Sequence, residues 1–210
     1  MATPYTLDLT ATQVNAAVNA AHDSGDPITS GSTKLVQSAA VYNEIVSKIR
    51  AKIGWAIYED SQYTSVSPLA SSNANTQITI DGLGTGSTSV YLPTNVTELW
   101  NTTSNKIVAD QLGDAYDVRL DFKADPATAS DYAEIVFDIG GSGGNLPVVS
   151  RTITFAKVGA SSFSIGFPIA ALATFMTNGC KIYLDTSGSG DAIDIYDISL
   201  FIKRDFNSIS

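Results

Sequence analysis

The 210-residue chain holds 21 acids against 12 bases, a formal charge of −9, and an acidic body repels phosphate backbones, which argues against nucleic-acid binding. Its single cysteine excludes an internal disulfide and its single histidine excludes a two-histidine zinc site; no stretch approaches the roughly 20 apolar residues of a membrane span. Charged residues make up only 16%, low for the surface of a monomer, so subunit contacts are expected to cover part of it.

Residues 1–53 read as an appendage. They hold four acids (Asp8, Asp23, Asp26, Glu44) and four bases (Lys34, Lys48, Arg50, Lys52), so the whole excess of acid lies downstream. Met1-Ala2-Thr3-Pro4 has no basic or apolar leader, which predicts synthesis in a cytoplasm without export. Tyr5-Thr6-Leu7-Asp8-Leu9 alternates and suits a strand added to a partner. Thr10 and Gln13 have capping-box spacing, and 11–21 then predict a short helix with Val14, Ala17, Val18 and Ala21 on one stripe. A helix of that length does not stand alone in water, so it needs a surface to dock on.

A second helix is predicted from about Thr33 or Ser38 to Lys52, with Gly54 just past its end. Val41, Ile45, Ile49 and Ile53 fall four apart, and Tyr42 and Val46 widen the stripe. Glu44 precedes Lys48 by four, the favourable order for an exposed pair. A β-branched stripe suits a coiled coil of three or more strands; the plainer alternative is that this helix packs on its own β body. Burying the four side chains contributes roughly 6–12 kcal/mol gross, at about 1.5–3 kcal/mol each.

Residues 54–210 predict an all-β body. Strands are expected at 55–58, 77–80, 89–92, 97–100, 106–109, 116–123, 132–139, 148–156, 162–167, 181–184 and 192–203. Tyr116–Lys123 alternates cleanly, apolar residues inward and charges outward. Turn signals such as Asp81-Gly82 and Asn178-Gly179 separate the strands, the pattern of an antiparallel sandwich or jelly roll. In the last strand Ile193 and Ile195 are followed by Ile198, Leu200 and Ile202, a one-residue phase slip that predicts a β-bulge. Cys180 is expected to be a small buried hydrophobe.

The search for chemistry is short. His22 sits near the end of the first helix, where a cation is favourable. Asp185, Asp191, Asp194 and Asp197 could offer oxygen ligands to calcium, but their spacing does not match an EF-hand, and a charge-guarded strand edge is the expectation. Asp110, Asp114, Asp117 and Asp121 form a second acidic run, read as solvated surface. Gly82–Ser87 is glycine-rich but leads into a predicted strand rather than a helix, so it reads as a turn and not a phosphate loop. Tyr58, Tyr63, Tyr91, Trp100 and Tyr116 could stack sugars if exposed, with burial the commoner fate. No enzyme activity, metal or cofactor is expected.

Two stretches resemble a known family. Ile165–Ile169, Thr174–Leu184 and Ile193–Arg204 look like the C-terminal half of the tumour-necrosis-factor-like jelly-roll knobs of tailed-phage fibres and head-decoration proteins. The run Leu35-Val36-Gln37-Ser38-Ala39-Ala40-Val41-Tyr42, leading into a helix, resembles a stretch common in phage fibre and appendage proteins. The resemblance covers about residues 28–53 and 160–206. It implies a homotrimer whose helices meet through Val41, Ile45, Ile49 and Ile53. It implies a virion location, with attachment to capsid, neck or tail proteins through Tyr5, Leu7, Leu9, Val14 and Val18. Host glycans are the partner under an alternative reading as a receptor-binding fibre tip. A cytoplasmic bacterial β protein unrelated to phage is a third.

Overall fold

The computed structural model describes residues 53–71, 75–94, 96–129, 131–141, 146–186 and 192–205. The chain divides into two compact units, Met1–Ile49 and Arg50–Ser210. Every described residue belongs to the second, so the strand and helices expected before residue 53 lie outside the described residues.

The strands in chain order are β1 (Gly54–Glu59), β2 (Leu69–Ser71), β3 (Thr76–Gln77), β4 (Trp100–Asn101), β5 (Lys106–Ile107), β6 (Ala115–Pro126), β7 (Tyr132–Asp138), β8 (Pro147–Thr154), β9 (Ser161–Ala170), β10 (Lys181–Asp185) and β11 (Ile193–Asp205), with one helix, α1 (Ala173–Asn178), between β9 and β10. One sheet runs β1-β11-β6-β9, with β2 also on β11. A second runs β3-β10-β7-β8, and β4 pairs with β5. From β6 onward the chain crosses repeatedly between the two larger sheets, and its first and last strands lie side by side. That arrangement is a jelly roll.

Alternation drives the sandwich. In β6 Tyr116, Val118, Leu120 and Phe122 are buried while Asp117 and Arg119 are exposed. In β7 Ala133, Ile135 and Phe137 are buried, and in β9 Ile165, Phe167 and Ile169. These inward faces interlock; Phe137 of one sheet lies 4.0 Å, ring centre to ring centre, from Phe167 of the other. Two polar tips find partners inside: Trp100 Nε1 donates to the Ile80 carbonyl at 2.9 Å, and the Tyr58 hydroxyl accepts from the Leu99 amide at 2.9 Å. Cys180 is fully buried.

The bulge in β11 sits where the phase slip placed it. The β11–β6 register shifts between Tyr196 and Ser199, and Asp197 adopts φ 52°. Backbone groups displaced there bond elsewhere: Asp197 N–H donates to the Tyr63 carbonyl at 3.1 Å, and the Ile198 carbonyl accepts from Asp60 N–H at 2.9 Å.

Three expectations need correction. Ser89–Leu92 is not a strand: Thr88 makes one bridge to Ile57, the Tyr91 carbonyl accepts from Trp55 at 3.0 Å, and Pro93 follows with no N–H to extend a ladder. The strands expected at 77–80, 97–100 and 106–109 shrink to the two-residue β3, β4 and β5. β2 and α1 were not anticipated; three and six residues are too few to display a period.

Candidate functional site

The outward face of the β1-β11-β6-β9 sheet gathers the exposed chemistry of the body. Trp55, Ile57 and Glu59 of β1 stand opposite Lys203, Phe201 and Ser199 of β11. Phe201 and Lys203 stand opposite Arg119 and Asp117 of β6, which face Gly166 and Pro168 of β9. Strand register alone therefore sets the residues in rows across the sheet.

One row is aromatic. Tyr91 stacks on Trp55 with centroids 4.5 Å apart, Trp55 leans toward Phe201 at 5.9 Å, and the Arg119 guanidinium lies 5.3 Å from the centre of the Phe201 ring, within cation–π range. The rest is charge, paired within the face. Arg119 Nε meets Asp121 Oδ2 at 2.9 Å, Lys123 Nζ meets Asp197 Oδ2 at 2.9 Å, and Lys203 Nζ meets Asp205 Oδ1 at 2.7 Å. All are half-exposed and screened by solvent, so none is a main source of stability. The face is acidic on balance: Asp117, Asp121, Asp125, Asp194, Asp197 and Asp205 outnumber Arg119, Lys123 and Lys203. Two shallow grooves run between β6 and β9. One is lined by Arg119, Gly166, Pro168 and Phe201, the other by Lys123, Ser162, Ser164 and Asp197.

Of the four proposed trimer-helix residues, Ile53 alone is described; it precedes β1 and is 40% exposed. Val41, Ile45 and Ile49 lie outside the described residues, as do the anchoring candidates Tyr5, Leu7, Leu9, Val14 and Val18, and also His22 and Asp191.

The sugar-stacking candidates separate. Tyr58, Trp100 and Tyr116 are buried, and the Tyr63 hydroxyl is 2.8 Å from Thr79 Oγ1. Tyr91 is 56% exposed, and it leans on Trp55, which the sequence reading did not nominate. Among the described residues no group of three or more His, Cys, Asp or Glu side chains is gathered as a metal ion would require.

The second acidic run corrects an expectation. Asp117 and Asp121 do lie on the outward face, but Asp114 is fully buried. It stands 2.8 Å from Arg204 Nε, itself buried near the end of β11, off the line of a hydrogen bond and leaving Asp114 Oδ1 without a partner. Arg204 reaches Asp110 at 3.0 Å, and Tyr116 donates its hydroxyl proton to Asp114 Oδ2 at 3.2 Å. Burial and the neighbouring carboxylate push the Tyr116 phenol above its ordinary range. The hint was Arg204 itself, a base at an inward position of an alternating strand.

The glycine-rich loop holds an anion that belongs to the protein. Gly86 N–H donates to Glu59 Oε2 at 2.7 Å and Gly84 N–H to the Glu59 carbonyl at 2.9 Å. A Cβ on either glycine would collide with Glu59.

The sequence matches no protein-family model and no curated protein. Among solved structures, the chain is similar to Eiger TNF from S. frugiperda at TM-score 0.50 and 8% identity, covering 76% of this chain and 96% of that one. The body has a tumour-necrosis-factor-like jelly-roll fold. The PRD1 vertex protein P5 also matches, at TM-score 0.40 and 15% identity, over 74% of this chain and 96% of that one. Identities so low speak to fold alone.

Proposed function

We propose that this chain is a structural protein of a tailed-phage virion, a short homotrimeric fibre or capsid decoration. In this reading residues 1–53 attach and trimerise, the jelly-roll body is displayed, and the protein is not an enzyme. The observation that carries it is the joining of a tumour-necrosis-factor-like body to an N-terminal stretch, 28–53, that resembles phage appendage proteins. The low share of charge and the half-exposed Trp55 and Phe201 support association of copies.

Deleting residues 1–30 tests the anchoring role. The truncated protein is expected to remain a folded trimer that no longer joins particles; incorporation at the normal level would overturn it. The exposed Tyr91–Trp55 stack favours one second reading, a glycan-binding fibre tip in which three weak sites gain avidity. Glycan-array binding that Tyr91→Ala abolishes would support that version, and an array with no binding would remove it.

A further inference from the structure

β1 is the strand through which residues 1–53 join the body, and it is bonded along both edges. On one edge it pairs with β11 from Gly54↔Arg204 to Glu59↔Ser199, and Asp60 N–H extends that side by donating to the Ile198 carbonyl at 2.9 Å. On the other edge lies the segment 84–91. Trp55 N–H donates to the Tyr91 carbonyl at 3.0 Å, Ile57 and Thr88 exchange both backbone bonds at 2.9 Å, and the Glu59 carbonyl accepts from Gly84 N–H at 2.9 Å. Glu59 N–H completes the set by donating to Ser87 Oγ at 2.8 Å. Successive N–H groups of a strand point to opposite edges, so the odd-numbered residues bond to 84–91 while the even-numbered ones face β11.

Glycines fix the register at both ends. Gly54 is buried beneath a collar, where a Cβ would run into the Tyr91 carbonyl oxygen and Pro93. At the other end the Glu59 side chain fills the space that Gly84 and Gly86 leave, and its Oε2 accepts from Gly86 N–H at 2.7 Å. Drawing β1 two residues toward its N-terminus would bring Ala56 into a gap that admits only a glycine. A slip of one residue would turn its buried face outward. Gly54 lies at the end of the sheet marked by Asp205, Ala115 and Ala170, and Glu59 lies toward the other. A pull on residue 53 along β1 therefore shears both edges at once, and the bonds must break together. Resistance of this kind is set by the unfolding barrier rather than by equilibrium stability.

We propose that β1 is a mechanical latch. The Gly54 collar and the Glu59 key hold the displayed body against force that arrives through residues 1–53. The inference rests on the attachment reading above, under which any force between the virion and the displayed body crosses the peptide bond between Ile53 and Gly54.

The test is constant-force pulling on single molecules of the full-length protein, held by the N-terminus and by a Val158→Cys handle. Val158 is exposed just before β9, at the end of the sheet away from Gly54. The only native cysteine, Cys180, is buried and does not compete for the handle. Glu59→Ala and Ser87→Ala are each expected to shorten the lifetime of the body under force by about tenfold, the scale of one lost hydrogen bond. A second tether, between Leu112→Cys and Val158→Cys, bypasses β1; there the same substitutions should shorten the lifetime clearly less. Should Glu59→Ala fail to fold, Ser87→Ala, which keeps the key, decides alone. Equal shortening in both tethers overturns the latch, because the two residues would then serve general stability only. Lifetimes unchanged in the first tether overturn it as well. A body that resists as expected, in a protein that still joins particles without residues 1–30, removes the attachment reading and with it the force that the latch would meet.

Discussion

Asp114 and Arg204 show what one buried pair does to a β body. Each is fully or nearly fully removed from water, and Asp110 and the Tyr116 hydroxyl complete the cluster. Removing Arg204 strands the buried Asp114 carboxylate, so Arg204→Met is expected to destabilise the body by about 3–5 kcal/mol in urea unfolding. Replacing both, as Asp114→Leu with Arg204→Met, should cost clearly less, because no lone charge stays behind. Equal losses in the single and double variants would contradict that account. Cys180 makes a second prediction. Burial, with Asp138 nearby, pushes its thiol up to about 12 from 9.0. The folded state therefore keeps the proton over a window where the unfolded chain releases it, and this term lowers stability as pH climbs from 9 toward 12. Thiol reagents at pH 8 should modify Cys180 only after denaturant is added; prompt labelling of the native protein would contradict the burial.

Among the elements, β11 was the most legible. Its alternation, its phase slip after Ile195 and its run to Arg204 all appear in the fold, because one buried face imposes a period of two and a bulge resets it. The bulge turns on Asp197 at φ 52°, a conformation an aspartate tolerates and a β-branched residue does not. Asp197→Val should therefore be less stable than Asp197→Gly by about 1–3 kcal/mol, both variants having lost the Lys123 pair equally. Thermal melts of the two variants make the comparison, and equal midpoints would mean the bulge relaxes. Long strands were readable for the same reason as β11: β6 and β7 each bury one full face. The short elements were less so: β4 and β5 were expected at their places but longer, and β2 and α1 were missed, since tertiary hydrogen bonds rather than local pattern hold them, as when Ile107 exchanges both backbone bonds with Cys180. The surface face was half legible. Asp117 and Asp121 were placed outward from sequence, while Trp55 and Phe201 meet only through the β1–β11 register, a contact between the two ends of the body. Asp114 was misread because its run of acids looked uniform, whereas burial is decided by the inward-pointing Arg204 a long way down the chain.

At the scale of the whole molecule, association and folding are linked. Anything that binds the folded chain and not the unfolded one stabilises it by mass action, and a second copy is such a ligand. If copies associate as the homotrimer reading has it, the unfolding midpoint of the β body must climb with protein concentration, because dilution favours the dissociated state. Ile45→Asp, on the predicted trimer helix, should flatten that dependence. Differential scanning calorimetry of wild type and the variant, each over a hundredfold range of concentration, makes the comparison. A midpoint independent of concentration in the wild type would show that the body gains no stability from its copies. A dependence that Ile45→Asp leaves unchanged would show that the association does not run through the predicted helix.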